Sequence, residues 1–191
     1  SAGLLRSARG VAPGTVAAAL GRFRGVGRRL TERGQVARVT VVDDYAHHPT
    51  EIQVTLRAAR EYYAPRRMFV VFQPHQHSRT RFLLKDFARS FSSADVVIVP
   101  EIYFVRDSES ERELIDAKDL VREIHLQGGD ARYEPNFAEI VSSLCAEVAG
   151  GDLVVTMGAG NVYQIADALV DCLKRTRGPG GDESGERGQR S

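Results

Sequence analysis

The stretch DLVVTMGAGN, residues 152–161, decides the fold class. LVVTM lacks the polar alternation of a strand with one face in water, and fits instead a strand covered by helices on both faces of a parallel sheet. The glycines after it make a tight turn with exposed backbone amides, and Val162, Ile165, Ala166, Leu169 and Leu173 then recur at helical spacing. Outward from there the same unit repeats. VARVTVV (36–42) precedes a helix from about Thr50 with Ile52, Leu56, Ala59 and Tyr63 on one face. MFVVF (68–72) precedes a helix carrying Leu84, Phe87, Ala88 and Phe91, and DVVIVP (95–100) leads to one near 117–126 with Leu120, Val121 and Ile124 facing inward. A short strand at 131–133 precedes PNFAEIVSSLCAEV, in which Asn136 and Glu139 have the spacing of a capping box. The expected fold is α/β, a Rossmann-like, mostly parallel sheet with helices on both faces.

The 191 residues suit one core plus a fragment or tail. A net charge of +1 gives no global field for nucleic acid or a membrane surface. Cys145 and Cys172 stand far apart and form no C-x-x-C unit, which reads as reduced thiols in a cytoplasmic protein. SAGLLRSARGVAPG at the start has no apolar core for a signal peptide, and no run approaches about 18 apolar residues, so a soluble protein is expected. Residues 1–34 hold one helix, about Thr15–Phe23, and the Gly/Arg stretch RGVGRRLTERGQ. A lone helix cannot bury its own apolar face, so this piece should belong to another body. Residues 35–175 form the α/β domain, and 176–191, Gly-rich and charged, read as a disordered tail.

In an open parallel sheet, ligands bind beyond the carboxyl ends of the strands. The loops there are DDYAHHP (43–49), QPHQHSRTR (73–81), PEIYFVRDSESER (100–112) and GAGN, and the first two hold four of the five histidines. Asp43 and Asp44 suit ribose hydroxyls or magnesium, or cap the turn. The adjacent His47 and His48 cannot easily face one point, and Pro49 fits the first turn of a helix. In the second loop, His75 and His77 stand beside Arg79 and Arg81; an Arg at a helix start can grip a carboxylate through its fork, or simply be a solvated basic helix start. A zinc site drawn from His47, His48, His75, His77 and Asp44 is sterically conceivable, without a specific signature. GAGN is neither G-x-G-x-x-G nor a Walker A loop, and the chain has no Walker A lysine, so an ATP triphosphate would need another cradle.

DDYAHHPTEI (43–52), FQPHQHSRTRFLLKDFARSFSSADVVIVPEIY (72–103) and GDLVVTMGAGNV (151–162), in this order, resemble the carboxy-terminal domain of the Mur ligases of peptidoglycan synthesis. ALGRFRGVGRRL (19–30) resembles the end of their central ATPase domain and the link onward. The resemblance implies one domain of a three-domain, ATP-dependent ligase that adds L-alanine to UDP-N-acetylmuramate through an acyl phosphate. ATP and Mg2+ would be held mainly by domains this chain lacks, and the chain would pack against its own central domain and be inactive alone. By the same resemblance Asp44 would contact the ATP ribose, and Arg28 or Arg29 would lie near the nucleotide at the hinge. Tyr45, His47, His75 and Arg79 would form the amino-acid pocket, with His47 and Arg79 catalytic. The family's second block reads FQPHRYTRT, whereas this chain has Gln76 and His77 in place of Arg and Tyr. The alternatives are the related ligase that attaches a recycled peptide, and a non-catalytic Rossmann-like module binding a nucleotide or a partner.

Overall fold

The computed structural model describes residues 28–178. The helix expected over Thr15–Phe23 and the tail beyond residue 178 lie outside the described residues.

Where one strand was expected over 36–42, the chain makes two. β1 (Thr31–Val36) and β2 (Val39–Asp44) pair antiparallel across a turn in which Ala37 and Arg38 both have positive φ, 48° and 64°. Two such residues produce the twist that a two-residue hairpin needs, a task usually given to Asn or Gly. The sheet therefore reaches back to Thr31, into the stretch read as linker. β1 is bulged between Glu32 and Gly34, and a Cβ on Gly34 would stand 2.9 Å from a methyl of Val170, so the glycine lets the last helix lie against this strand.

The other elements follow the sequence pattern closely. They are α1 (Pro49–Tyr63), β3 (Met68–Phe72), α2 (His77–Phe82), α3 (Leu84–Ser90), β4 (Val96–Val99), α4 (Glu109–Arg112), α5 (Ala117–Leu126), β5 (Ala131–Tyr133), α6 (Phe137–Glu147), β6 (Leu153–Met157) and α7 (Tyr163–Arg177). The sheet has six strands in the order β1-β2-β6-β3-β4-β5, and all pairs except β1–β2 are parallel. Alternate residues of the inner strands enter two cores. Val42, Val70, Phe72, Val97 and Val155 meet α1, α3 and α5, while Val41, Phe69, Val71, Ile98 and Val154 meet α6 and α7. Burial on both faces is the physical reason these strands carry unbroken apolar runs. Among the described residues no helix is long and apolar enough to cross a membrane.

Local chemistry departs from expectation in three places. Asn136 caps α6 by accepting from the Ala138 amide at 2.8 Å, but its own N–H goes to Glu134 and not to Glu139, so no capping box forms there. The reciprocal box occurs instead at α5, between Asp116 and Asp119. Cys145 on α6 and Cys172 on α7, expected as separate thiols, form a disulfide, because packing of the two helices brings their Cα atoms to 6.3 Å.

The third departure is the end of α7. The helix runs to Arg177, past the point where the tail was expected to begin, and the Arg177 guanidinium donates to Val148 O at 2.7 Å and Cys145 O at 2.6 Å. Those carbonyls belong to the frayed end of α6, where the last turn has no intrahelical donors and a cation is favoured. Arg177→Ala should therefore cost about 1 kcal/mol of unfolding free energy, and a truncation after Arg175 at least as much, in denaturant titrations. An unchanged midpoint for both would show that Arg177 is incidental.

Candidate active site

The chain leaves β2 through α1, passes in front of β6 and returns as β3; β6 is inserted between them later and leaves toward the opposite face through α7. Loops therefore part on either side of β6, and the crevice they leave lies at the carboxyl edge of the sheet. DDYAHHP, QPHQHSRTR and GAGN all open into it.

The two acids ending β2 point to opposite faces. Asp43 is fully buried and accepts from Arg28 Nε at 2.7 Å, from Arg28 Nη2 at 3.3 Å and from the Thr156 hydroxyl at 2.7 Å. The same guanidinium donates to Gly158 O at 2.8 Å and Gly160 O at 3.2 Å, and lies over the rings of Tyr45 and Tyr163 at 5.3 and 5.2 Å. Asp44, equally buried, accepts from the Leu30 and Ala46 amides, each at 2.7 Å. Both of its oxygens are thus engaged, and a ribose contact there would have to displace or share these bonds. Arg28 lies at the edge of this crevice, and Arg29 is exposed and close enough to Glu51 to act on its titration.

Beside this latch runs a row of rings. Tyr45 meets His47 edge-on at 5.3 Å, His47 meets His75 at 6.3 Å, and His75 stacks on Tyr103 at 5.7 Å with 17° between planes. His47 Nδ1 is 3.1 Å from Tyr45 O and its amide donates to Glu51, which fixes the turn into α1. His75 Nδ1 is buried and has no hydrogen-bond partner. Arg79, one turn into α2, is half-buried, finds no ion-pair partner among the described residues, and is close enough to His75 to act on its titration. Gln76, between these groups, has a φ of 70° without being glycine, the kind of backbone strain that persists only where its surroundings impose it. It donates to Val105 O, and its own carbonyl holds Thr80.

The structure thus brings Tyr45, His47, His75 and Arg79 to one crevice, with Arg28 and Asp44 at its edge. Arg81 turns away to a two-pronged pair with Glu111, and His48 is exposed at the start of α1. Tyr103 was not anticipated; the only signal was its place in a loop at a strand's carboxyl end. Among the described residues no group of three His, Cys, Asp or Glu side chains could hold a metal ion. With Asp44 engaged and no lysine or glycine-rich cradle, these residues do not fit a triphosphate or its magnesium.

The chain is similar to known proteins in sequence and in fold. The sequence model of the family described as "Mur ligase, glutamate ligase domain" matches residues 28–160. The UDP-N-acetylmuramate–L-alanine ligase of Caldanaerobacter subterraneus is 46% identical over 153 residues, which are 80% of this chain and 33% of that protein. The crystal structure of the UDP-N-acetylmuramate–alanine ligase of Thermotoga maritima superposes with a TM-score of 0.68 at 26% identity, over 91% of this chain and 36% of that one. A murein peptide ligase from Psychrobacter arcticus gives 0.66 at 26% identity, over 93% and 35%. The chain spans about a third of the length of the curated relatives it matches.

Two histidines in the second loop titrate below the ordinary value. Burial pushes His75 down first, and the Arg79 cation adds to it. Burial likewise lowers His77; Asp107, 3.7 Å away, opposes this and Arg112 assists it. Burial alone would raise Asp107, but the Ser78 and His77 amides and the Ser78 hydroxyl outweigh it and hold that carboxyl low. As pH falls below about 6.5, the unfolded chain binds protons that folded His75 and His77 refuse, so stability must fall. Unfolding free energy should decline from about pH 7.5 to 5.5, and His77→Tyr should flatten the slope in a denaturant series. Stability that rises on acidification, or an identical slope in the variant, would contradict this.

Proposed function

The chain belongs to the Mur ligase family, and we propose that it is the part of an ATP-dependent ligase that presents L-alanine to the activated carboxyl group of UDP-N-acetylmuramate. The observation that carries this reading is the placing of Arg79, a cation without an ion-pair partner among the described residues, beside His75, a half-buried imidazole whose buried Nδ1 has no hydrogen-bond partner. An amino acid brings one group for each. Its carboxylate fits the Arg79 fork. Its amine must lose a proton to attack, and an imidazole kept neutral by burial and a nearby cation can take it.

ATP, when bound, supplies the phosphoryl group that turns the muramyl carboxylate into an acyl phosphate. With its first proton on His75, the amine nitrogen then forms the bond to the acyl carbon, the C–O bond to phosphate breaks with its electron pair, and the second nitrogen proton leaves on the departing phosphate. Tyr45 and His47 wall the pocket on the side of β2, and His47 touches the substrate. Arg28 and Asp44 hold the entering chain against that wall, at the hinge the nucleotide would approach. Triphosphate and magnesium are assigned to other parts of a longer protein. A soluble nucleotide-sugar substrate would place the reaction in the cytoplasm. Addition of a single amino acid rather than a peptide is supported by the names of the curated relatives.

In the longer protein, Arg79→Ala should cost about 2–5 kcal/mol in kcat/KM for L-alanine, the range for truncating one partner of a buried charge pair, while the KM for ATP stays put. Phosphate release under steady-state conditions reads both. A near-silent Arg79→Ala would remove this residue from the site and the reading with it.

A further inference from the structure

One buried carboxylate close to the pocket has no part in the chemistry above. Asp107 belongs to the long loop after β4, and its side chain is 4% exposed. It accepts from the Ser78 amide at 3.1 Å, and His77 Nδ1 is 3.7 Å from the same oxygen. Ser78 immediately precedes Arg79, in the first turn of α2, where backbone amides have no intrahelical acceptor. A helix commonly finds that acceptor in the side chain of its own N-cap. The N-cap here is Gln76, which makes no such bond and sends its side-chain amide to Val105 O instead. The cap of α2 therefore comes from a residue 29 positions further along the chain than the amide it holds.

That bond is the last of a series. Tyr103 N donates to Pro74 O at 2.8 Å, Gln76 N to Tyr103 O at 3.1 Å, Gln76 Nε2 to Val105 O at 3.4 Å, and Ser78 N to Asp107. Residues 74–78 and 103–107 are thereby tied together, and the first of these segments carries His75 and leads into Arg79. Each holds a non-glycine residue at positive φ, Gln76 at 70° and Arg106 at 50°, a strain that persists only where the surroundings impose it. The first three acceptors are backbone carbonyls, which any sequence supplies. Asp107 is the acceptor in this series that depends on a side chain, and the Ser78 and His77 amides and the Ser78 hydroxyl offset the cost of keeping its charge buried. We infer that Asp107 is a positioning residue: by capping α2 at Ser78 it fixes the direction in which the Arg79 guanidinium meets His75 and an amino acid held between them. The part of this inference that concerns the amino acid rests on the proposed ligase reading; the effect of Asp107 on the Arg79–His75 pair does not.

The Arg81–Glu111 pair and the backbone bonds keep the loop in place when the cap is removed, so Asp107→Ala should disturb this corner alone. The first measurement is the titration of His75 by NMR in the 191-residue chain. The Arg79 charge lowers the His75 pKa and the Asp107 charge raises it, so the two possible effects of Asp107→Ala have opposite signs. Loss of the carboxylate charge alone would lower that pKa, whereas displacement of Arg79 raises it. Asp107→Ala should therefore raise it, and Asp107→Asn, which removes the charge but keeps an acceptor for Ser78, should not. A His75 pKa that falls or stays in Asp107→Ala, or rises equally in Asp107→Asn, overturns the inference. The second measurement is steady-state kinetics in the longer protein. Asp107→Ala should raise the KM for L-alanine about tenfold, the scale of one lost helix cap, and leave the KM for ATP within about twofold, while Asp107→Asn recovers most of the loss. A residue that merely supports the fold would move both KM values together. That result overturns positioning, as does an unchanged KM for L-alanine in Asp107→Ala beside a raised one in Arg79→Ala. If Arg79→Ala is itself silent toward L-alanine, the ligase reading falls, and the His75 titration still decides whether Asp107 aims Arg79.

Discussion

A fully buried carboxylate, Asp43, is the constraint on which the rest of the site depends. An isolated carboxylate could not stay ionised at that depth, since desolvation costs several kcal/mol that must be returned by good geometry and full hydrogen bonding. Arg28 and Thr156 supply that compensation. Because the Arg28 guanidinium also holds Gly158 O and Gly160 O, a single side chain ties the entering segment, the end of β2 and the turn after β6 into one body. Asp44 repeats the device on the other face with the Leu30 amide.

The pocket inherits its shape from this latch. Tyr45 lies under Arg28 and so presents a fixed edge to His47; His47 sets the approach to His75, and His75 is backed by Tyr103. GAGN is held close by its carbonyls, which is why its glycines come within contact of Gln73. Among the described residues, the buried side-chain atoms without a hydrogen-bond partner are Arg67 Nε, Gln73 Oε1, His75 Nδ1 and His77 Nδ1, and Arg79 has no ion-pair partner.

Much of this was legible in the sequence. The apolar runs of β3, β4 and β6 gave the parallel sheet because burial on both faces leaves no reason for alternation, and the crowded loops marked its carboxyl edge. The hairpin was missed because Ala37 and Arg38 take positive φ without the Asn-Gly signal that usually announces it. The partner of Asp43 was hidden by distance along the chain, though Thr156, a polar residue inside an otherwise apolar strand, hinted at a buried acceptor. Tyr103 and the His77–Asp107 contact depend on how a long loop folds back, and the Cys145–Cys172 and Arg177 contacts depend on the angle between α6 and α7. No local pattern encodes either.

The most direct test of the latch is a double-mutant cycle on the 191-residue chain, with Arg28→Met, Asp43→Asn and the two combined, followed by denaturant unfolding. If the buried pair binds the entering segment to the sheet, each single change leaves a buried group uncompensated, and the coupling energy should be at least about 1.5 kcal/mol. Additive effects within about 0.5 kcal/mol would show that Arg28 and Asp43 do not hold this site together.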